Sequence, residues 1–291
     1  MSSRVALSHA RKAQSKELLP VHAETCPHYL YLLSAKIAST TSTKMDEQGH
    51  VHEHDDEWAG ARHVCAPPLR HSDDDLQGVW DGVLNGTITV VSSDHAPTLY
   101  DDAGGKRKPV VEAQATNSVP TFAQIPNGLP GLETRLPVLF DAATNPNTRR
   151  ERKLSLPRFV ALTSTNPAKL YGLAGRKGSI APGYDADLVI WYPQDHPNAK
   201  TTIHNGMLHH SIDYTPFEGH EVCNWPRWVV LRGELKWDRD VELKEGHGKG
   251  ILGHPADGQF LKRGRGDVLV GRTGETPIGM KPDERSAWMN V

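Results

Sequence analysis

The chain has 291 residues, and its 33 Lys and Arg against 35 Asp and Glu leave a formal charge of -2. That balance gives no electrostatic reason to expect nucleic acid or an anionic membrane as partner. No apolar run reaches the length of a membrane span or is laid out as a signal peptide, and three scattered cysteines exclude a disulfide framework, so a soluble, cytoplasmic chain is expected.

Residues 2–17, "SSRVALSHARKAQSKE", predict a helix, with Ser2 or Ser3 as cap and basic residues toward the far end. A short strand "PVHAE" follows and ends at Glu24-Thr25; after Pro27 an apolar helical stretch runs through Ile37. Residues 40–60 are polar and repetitive, a loop composition. "HVCAPPLR" returns to extended structure, because proline restricts the residue before it. "HSDDDLQGVWDGVLNG" carries the strongest helix signal: Ser72 caps, Asp73 to Asp75 sit at the positive end of the dipole, and Gly86 ends it. Leu76, Val79, Trp80, Val83 and Leu84 recur at helical spacing. Thr87–Val91 is β-branched without alternation, the pattern of a strand buried on both faces.

Helix, glycine turn and buried strand make an α/β unit of a parallel sheet or barrel, in which active groups sit at the C-terminal ends of strands. Asp94 stands there, and so does Glu24 after the earlier strand. A carboxylate so placed binds a metal, acts as a general base, does both, or simply caps the next loop. After a long loop, "PGLETRLPVLFDAA" and "SLPRFVALTSTNPAKLYGL" predict helices, the second interrupted at Asn166-Pro167. From Gly175 short strands and glycine turns read as a small all-β unit. From about residue 240 the texture is that of an extended tail. "HVHEHDD" (His50, His52, His54, Asp55, Asp56) has alternating histidines able to hold zinc, but its polar, repetitive setting reads as a solvated insertion. The cysteines read as small apolar packing groups rather than nucleophiles. At 37% hydrophobic residues the chain is poor in core material, so long loops dilute the core or something outside this sequence completes it.

Four phrases taken together resemble one family. They are "ETCPHYL" (24–30), "CAPPLR" (65–70) with "SSDHAP" (92–97), "IPNGLPGLETRLPVLF" (125–140) and "TSTNPAKLYGLAGRKGSIAPGYDADLVIWYP" (163–193). Their order and spacing resemble the dihydropyrimidinase and hydantoinase branch of the cyclic amidohydrolases, nearest to the fungal type, from Met1 to about residue 240. "IPNG" argues against allantoinase and dihydroorotase.

The resemblance implies a (β/α)8 TIM-type barrel with a small β-sandwich and a binuclear zinc centre. This chain would supply a partial barrel (1–174), part of the sandwich (175–240) and a C-terminal tail (241–291) that either makes oligomer contacts or is disordered. The implied activity is hydrolysis of a cyclic ureide, 5,6-dihydrouracil, dihydrothymine or hydantoin, by a metal-bound hydroxide. Asp94 falls at the family's metal-binding, proton-shuttling aspartate. Ala66, where the family usually has serine, and Asn127 fall where backbone groups bind the ring. The family's His-x-His pair, carboxylated lysine and two further histidines have no counterpart here. The chain therefore resembles the C-terminal portion of such an enzyme, expected to be inactive alone and homotetrameric when full length. A non-catalytic scaffold of the collapsin-response mediator kind is the alternative reading.

Overall fold

A computed structural model describes residues 1–15, 21–45, 51–101 and 104–266. Helix α1 (Arg4–Ser15) is capped by Ser3, whose Oγ accepts from the Ala6 N–H at 3.3 Å. Strand β1 (Ala23–Thr25) leads through Pro27 into α2 (His28–Tyr31). The predicted helix to Ile37 breaks at Leu32, which is extended, and resumes only as a 3-10 turn over Ser34–Ala38. Residues 40–60 are not a plain loop: β2 (Thr41–Met45) and β3 (Val51–Asp55) pair antiparallel, Thr41 opposite Asp55. Paired strands whose residues are polar leave no hydrophobic alternation to announce them.

Helix α3 (Asp73–Asn85) has the predicted ends: Ser72 Oγ accepts from the Asp74 N–H at 3.1 Å, and Gly86 adopts φ 89°. Its glycines set its distance from α1. A Cβ on Gly78 would stand 2.6 Å from Arg4 Cβ, and one on Gly82 would stand 2.9 Å from a Leu7 methyl. Strand β4 (Ile88–Val91), buried at all four positions, lies parallel to β1, with Ala23 opposite Ile88 and Thr25 opposite Val91. Two parallel strands joined through a helix are the expected α/β unit.

The predicted long loop after β4 contains α4 (Lys108–Thr116), which has Pro109 in its first turn and is too short to give a clear apolar period. Then come α5 (Arg135–Thr144), α6 (Leu156–Val160) and α7 (Asn166–Leu170). Between the last two, Ala161–Thr165 forms a π-helical turn that ends at the predicted Asn166-Pro167 interruption. Leu7, Leu30, Trp80, Val83, Ile88, Val91, Leu139 and Leu162 from these elements form one buried core.

In the all-β part, β5 (Leu188–Trp191) is followed by the short strands β6 (Thr201–Thr202) and β7 (Glu221–Val222), which pair with each other. Strands β8 (Pro226–Leu231) and β9 (Glu234–Asp238) complete an antiparallel sheet in the order β5-β8-β9. Arg232 and Gly233 both have positive φ, as a two-residue hairpin turn of type I′ requires. Trp191 stacks on Phe140 of α5, ring centroids 3.8 Å apart, and so fastens the sheet to that helix. Ile203, Leu208, Phe217, Val222 and Trp225 share a second core with Cys26, Tyr29, Leu129 and Val138. Past residue 238 the chain forms helix α8 (Arg239–Glu245) before it turns extended, with Asp238 as cap. Among the described residues no helix is long and apolar enough to cross a membrane.

Candidate active site at the strand ends

Strands β1 and β4 finish side by side, and the Ser92 N–H donates to Thr25 O at 3.0 Å just past the pair. The side chains that follow are polar and meet. Ser92 Oγ donates to Glu24 Oε1 at 2.7 Å and lies 3.5 Å from Cys26 Sγ. Asp94 is exposed and holds φ at 47°, a left-handed conformation that costs energy for a residue with a Cβ and that concentrates at functional sites. One carboxylate oxygen of Asp94, the Cys26 sulfur and one ring nitrogen of His28 all lie within 4.8 Å of one another. Cys26 and His28 are buried, and His28 Nε2 is a buried atom with no hydrogen-bond partner.

Burial, with added repulsion from Asp94 and Glu24, pushes the Cys26 thiol up to about 11. Burial, with the charge of Asp94 among the lesser contributors, raises Tyr29 and Cys65 too. The Asp94 carboxylate therefore acts on the inner side chains at the strand ends. Burial, then the Met1 ammonium, lowers His28 to about 4, so its imidazole is neutral near pH 7. Neutral imidazole and carboxylate are zinc donors as they stand, while the thiol must first lose its proton. The donor set fits a divalent metal.

Ala66 and Asn127 are both exposed, on loops tied to the Asp94 loop. The Gly128 N–H donates to Val64 O and the Ala96 N–H to Leu129 O, each at 3.2 Å, and His95 bridges to Leu129 in parallel. Gly128 has φ 113°, and a Cβ there would fall 1.9 Å from Ala96 O, so only glycine allows this approach. Beneath them the fully buried Lys106 donates from Nζ to Val64 O at 2.8 Å, and to Pro126 O and Gly128 O at 2.7 Å each. His95 Nδ1 accepts from the Gly131 and Leu132 N–H groups at 3.2 and 3.3 Å. That bonding makes His95 a brace for the next loop. Two cavities, of about 710 and 450 Å3, lie elsewhere, and Asp94 lines neither.

The model of the amidohydrolase family matches residues 9–236. The chain belongs to the amidohydrolase family. This amidohydrolase chain is 34% identical over 257 residues to a D-hydantoinase of Ralstonia pickettii, covering 88% of this chain and 46% of that one. A D-hydantoinase of Rhizobium radiobacter is 34% identical over 241 residues, covering 83% of this chain and 42% of that one. A solved dihydropyrimidinase of Brevibacillus agri superposes with a TM-score of 0.69 at 30% identity, covering 90% of this chain and 47% of that one. The chain spans about half the length of the relatives it matches. Its fold is accordingly mixed α/β, with β1 and β4 as neighbouring strands of a partial barrel.

The sequence put Asp94 at a strand end and Ala66 in an extended stretch, and the resemblance implied Ala66 and Asn127 as ring contacts; the structure ties the three segments together. It missed His28 and Cys26 as neighbours of Asp94. The signal was available, since both follow β1 as Asp94 follows β4. Lys106 left no signal, because "GGKRKP" reads as a solvated basic run. Of the histidine-rich stretch, His50 and the side chains of His52 and His54 lie outside the described residues. Asp56 is engaged with Arg62 at 3.0 Å and with the Tyr100 hydroxyl at 2.7 Å.

Proposed function

We propose that this amidohydrolase chain carries the Asp94-bearing part of a site that hydrolyses cyclic amides. The substrate class is the cyclic ureide, a dihydropyrimidine or a hydantoin, opened to an N-carbamoyl amino acid. The observation that carries this reading is the position of Asp94 at the end of β4, beside β1, with a carboxylate oxygen within 4.8 Å of the Cys26 sulfur and a His28 ring nitrogen. The relatives at 34% identity are named D-hydantoinases.

Asp94 takes the proton of the attacking water as the oxygen adds to the ring carbonyl carbon. It then returns that proton to the ring nitrogen as the C–N bond breaks, so one water is consumed and one carboxylate forms. Asp94 and the neutral His28 are the side chains that would hold a divalent metal, zinc in this reading. Such a metal polarises the carbonyl and makes water acidic enough to attack near neutral pH. Backbone groups of Ala66 and Asn127 bind the polar edge of the ring, and alanine in place of serine leaves those main-chain contacts intact.

The test is a chimera in which residues 9–236 replace the matching part of the Ralstonia pickettii D-hydantoinase. Loaded with zinc, it is expected to open hydantoin or 5,6-dihydrouracil. A folded, metal-loaded chimera that opens neither ring contradicts the proposal.

A further inference from the structure

A second group of metal-ligating side chains converges far from Asp94 in the sequence, where the segment after β6 meets α8. His209 Nε2 lies 3.1 Å from Glu242 Oε1, and His247 Nδ1 lies 3.2 Å from that same oxygen. The two imidazoles are nearly parallel, with centroids 4.6 Å apart and planes at 16°. One nitrogen from each ring and one Glu242 oxygen all fall within 4.8 Å of one another. Zinc bonds of ~2.1 Å arranged tetrahedrally set ligand-to-ligand edges of roughly 3.4 Å. Two of the three edges are already close to that length.

The surroundings hold these donors in place. Glu242 accepts from the Gly248 N–H through Oε1 and from the Gly250 N–H through Oε2, both at 2.7 Å. The other nitrogen of His209, Nδ1, lies 2.9 Å from Glu133 Oε1, and Glu133 Oε2 accepts from the His209 backbone N–H at 2.8 Å. A histidine with one nitrogen toward a metal position and the other on a carboxylate is the usual outer-shell arrangement of zinc sites. The Trp237 ring meets the His209 ring edge-on at 4.8 Å. Glu133 and Glu242 place two carboxylates in this cluster, near the buried guanidinium of Arg239. Entry is open, since the His247 side chain is 55% exposed.

We propose that His209, Glu242 and His247 bind a divalent metal ion of the zinc class, with Glu133 orienting His209 from behind. Because His209 lies in the segment packed on the barrel part and Glu242 and His247 lie after the sheet, a bound ion clasps α8 to the body. This site shares no residue with the strand-end cluster and stands whether or not that cluster is catalytic.

The experiment titrates the metal-stripped 291-residue chain with Co2+, followed by its visible spectrum, and with Zn2+, followed by calorimetry. The expected result is a binding step that persists in Asp94→Asn and is lost in His247→Ala, a change at an exposed position outside both cores. Glu133→Gln keeps the step but weakens it about 10- to 100-fold. Zinc raises the thermal midpoint of Asp94→Asn and leaves that of the Asp94→Asn, His247→Ala double variant unmoved. Equal binding by wild type and His247→Ala overturns the proposal, and so does the absence of any binding step in Asp94→Asn.

Discussion

Lys106 shows how much of this site rests on a single side chain. Its ammonium is fully buried and donates to three carbonyls on the two loops that carry Ala66 and Asn127. Replacing it by methionine keeps the apolar stem but removes the donor to Pro126 O, while Val64 O keeps the Gly128 N–H and Gly128 O keeps the Tyr214 hydroxyl. A carbonyl left unsatisfied costs about 1–3 kcal/mol. Lys106→Met is therefore expected to lower the unfolding free energy by about 1–3 kcal/mol, read by urea denaturation, and an unchanged midpoint contradicts the assignment. The pH dependence has a definite sign. Burial lowers Lys106 from 10.5 to about 8, so between those values the unfolded chain holds a proton that the folded chain has released. Stability from this group rises as pH climbs through that window, and the methionine variant, measured by urea unfolding from pH 8 to 10, lacks the rise. Asp94 was legible as a residue because a polar group closed a buried strand. Lys106 was not, because a lysine among glycines and other basic residues carries no mark of burial.

Among the elements, β4 depends on its neighbours for more than apolar contact. Its one strand partner among the described residues is β1, and an unpartnered edge presents free carbonyls. Helix side chains take them: Asn166 Nδ2 donates to Thr89 O at 2.9 Å, a guanidinium N–H of Arg135 to Val91 O at 3.0 Å, and one of Arg158 to Ile88 O at 2.6 Å. Asn166→Ala leaves the Thr89 carbonyl short of a donor inside the core and is expected to cost about 1–3 kcal/mol. Chemical denaturation checks this, and a loss below a few tenths of a kcal/mol counts against it. The helix α3 and strand β4 could be read from the sequence because caps, period and branching agree over that whole stretch. The β2/β3 pair could not, because neither strand's sequence alternates apolar and polar residues. The helix α8 lay hidden in a Gly- and Lys-rich run whose helical part is only Arg239–Glu245.

At the scale of the molecule, the partial barrel, the sheet fastened by Trp191 and the segment 199–225 meet around the two cores. The order of the motifs was enough to indicate the family. The return of residues 199–225 onto the barrel part was not legible, since it depends on contacts between positions far apart in sequence. The fold holds the Asp94 carboxylate in a left-handed turn past the end of β4. The direct measurement is ring opening by the zinc-loaded chimera carrying residues 9–236, compared with the same chimera bearing Asp94→Asn. Asparagine preserves the shape and tolerates positive φ but cannot carry the proton. The account predicts a fall in kcat of about 10²- to 10⁴-fold; a chimera that turns over equally well with asparagine at that position contradicts it.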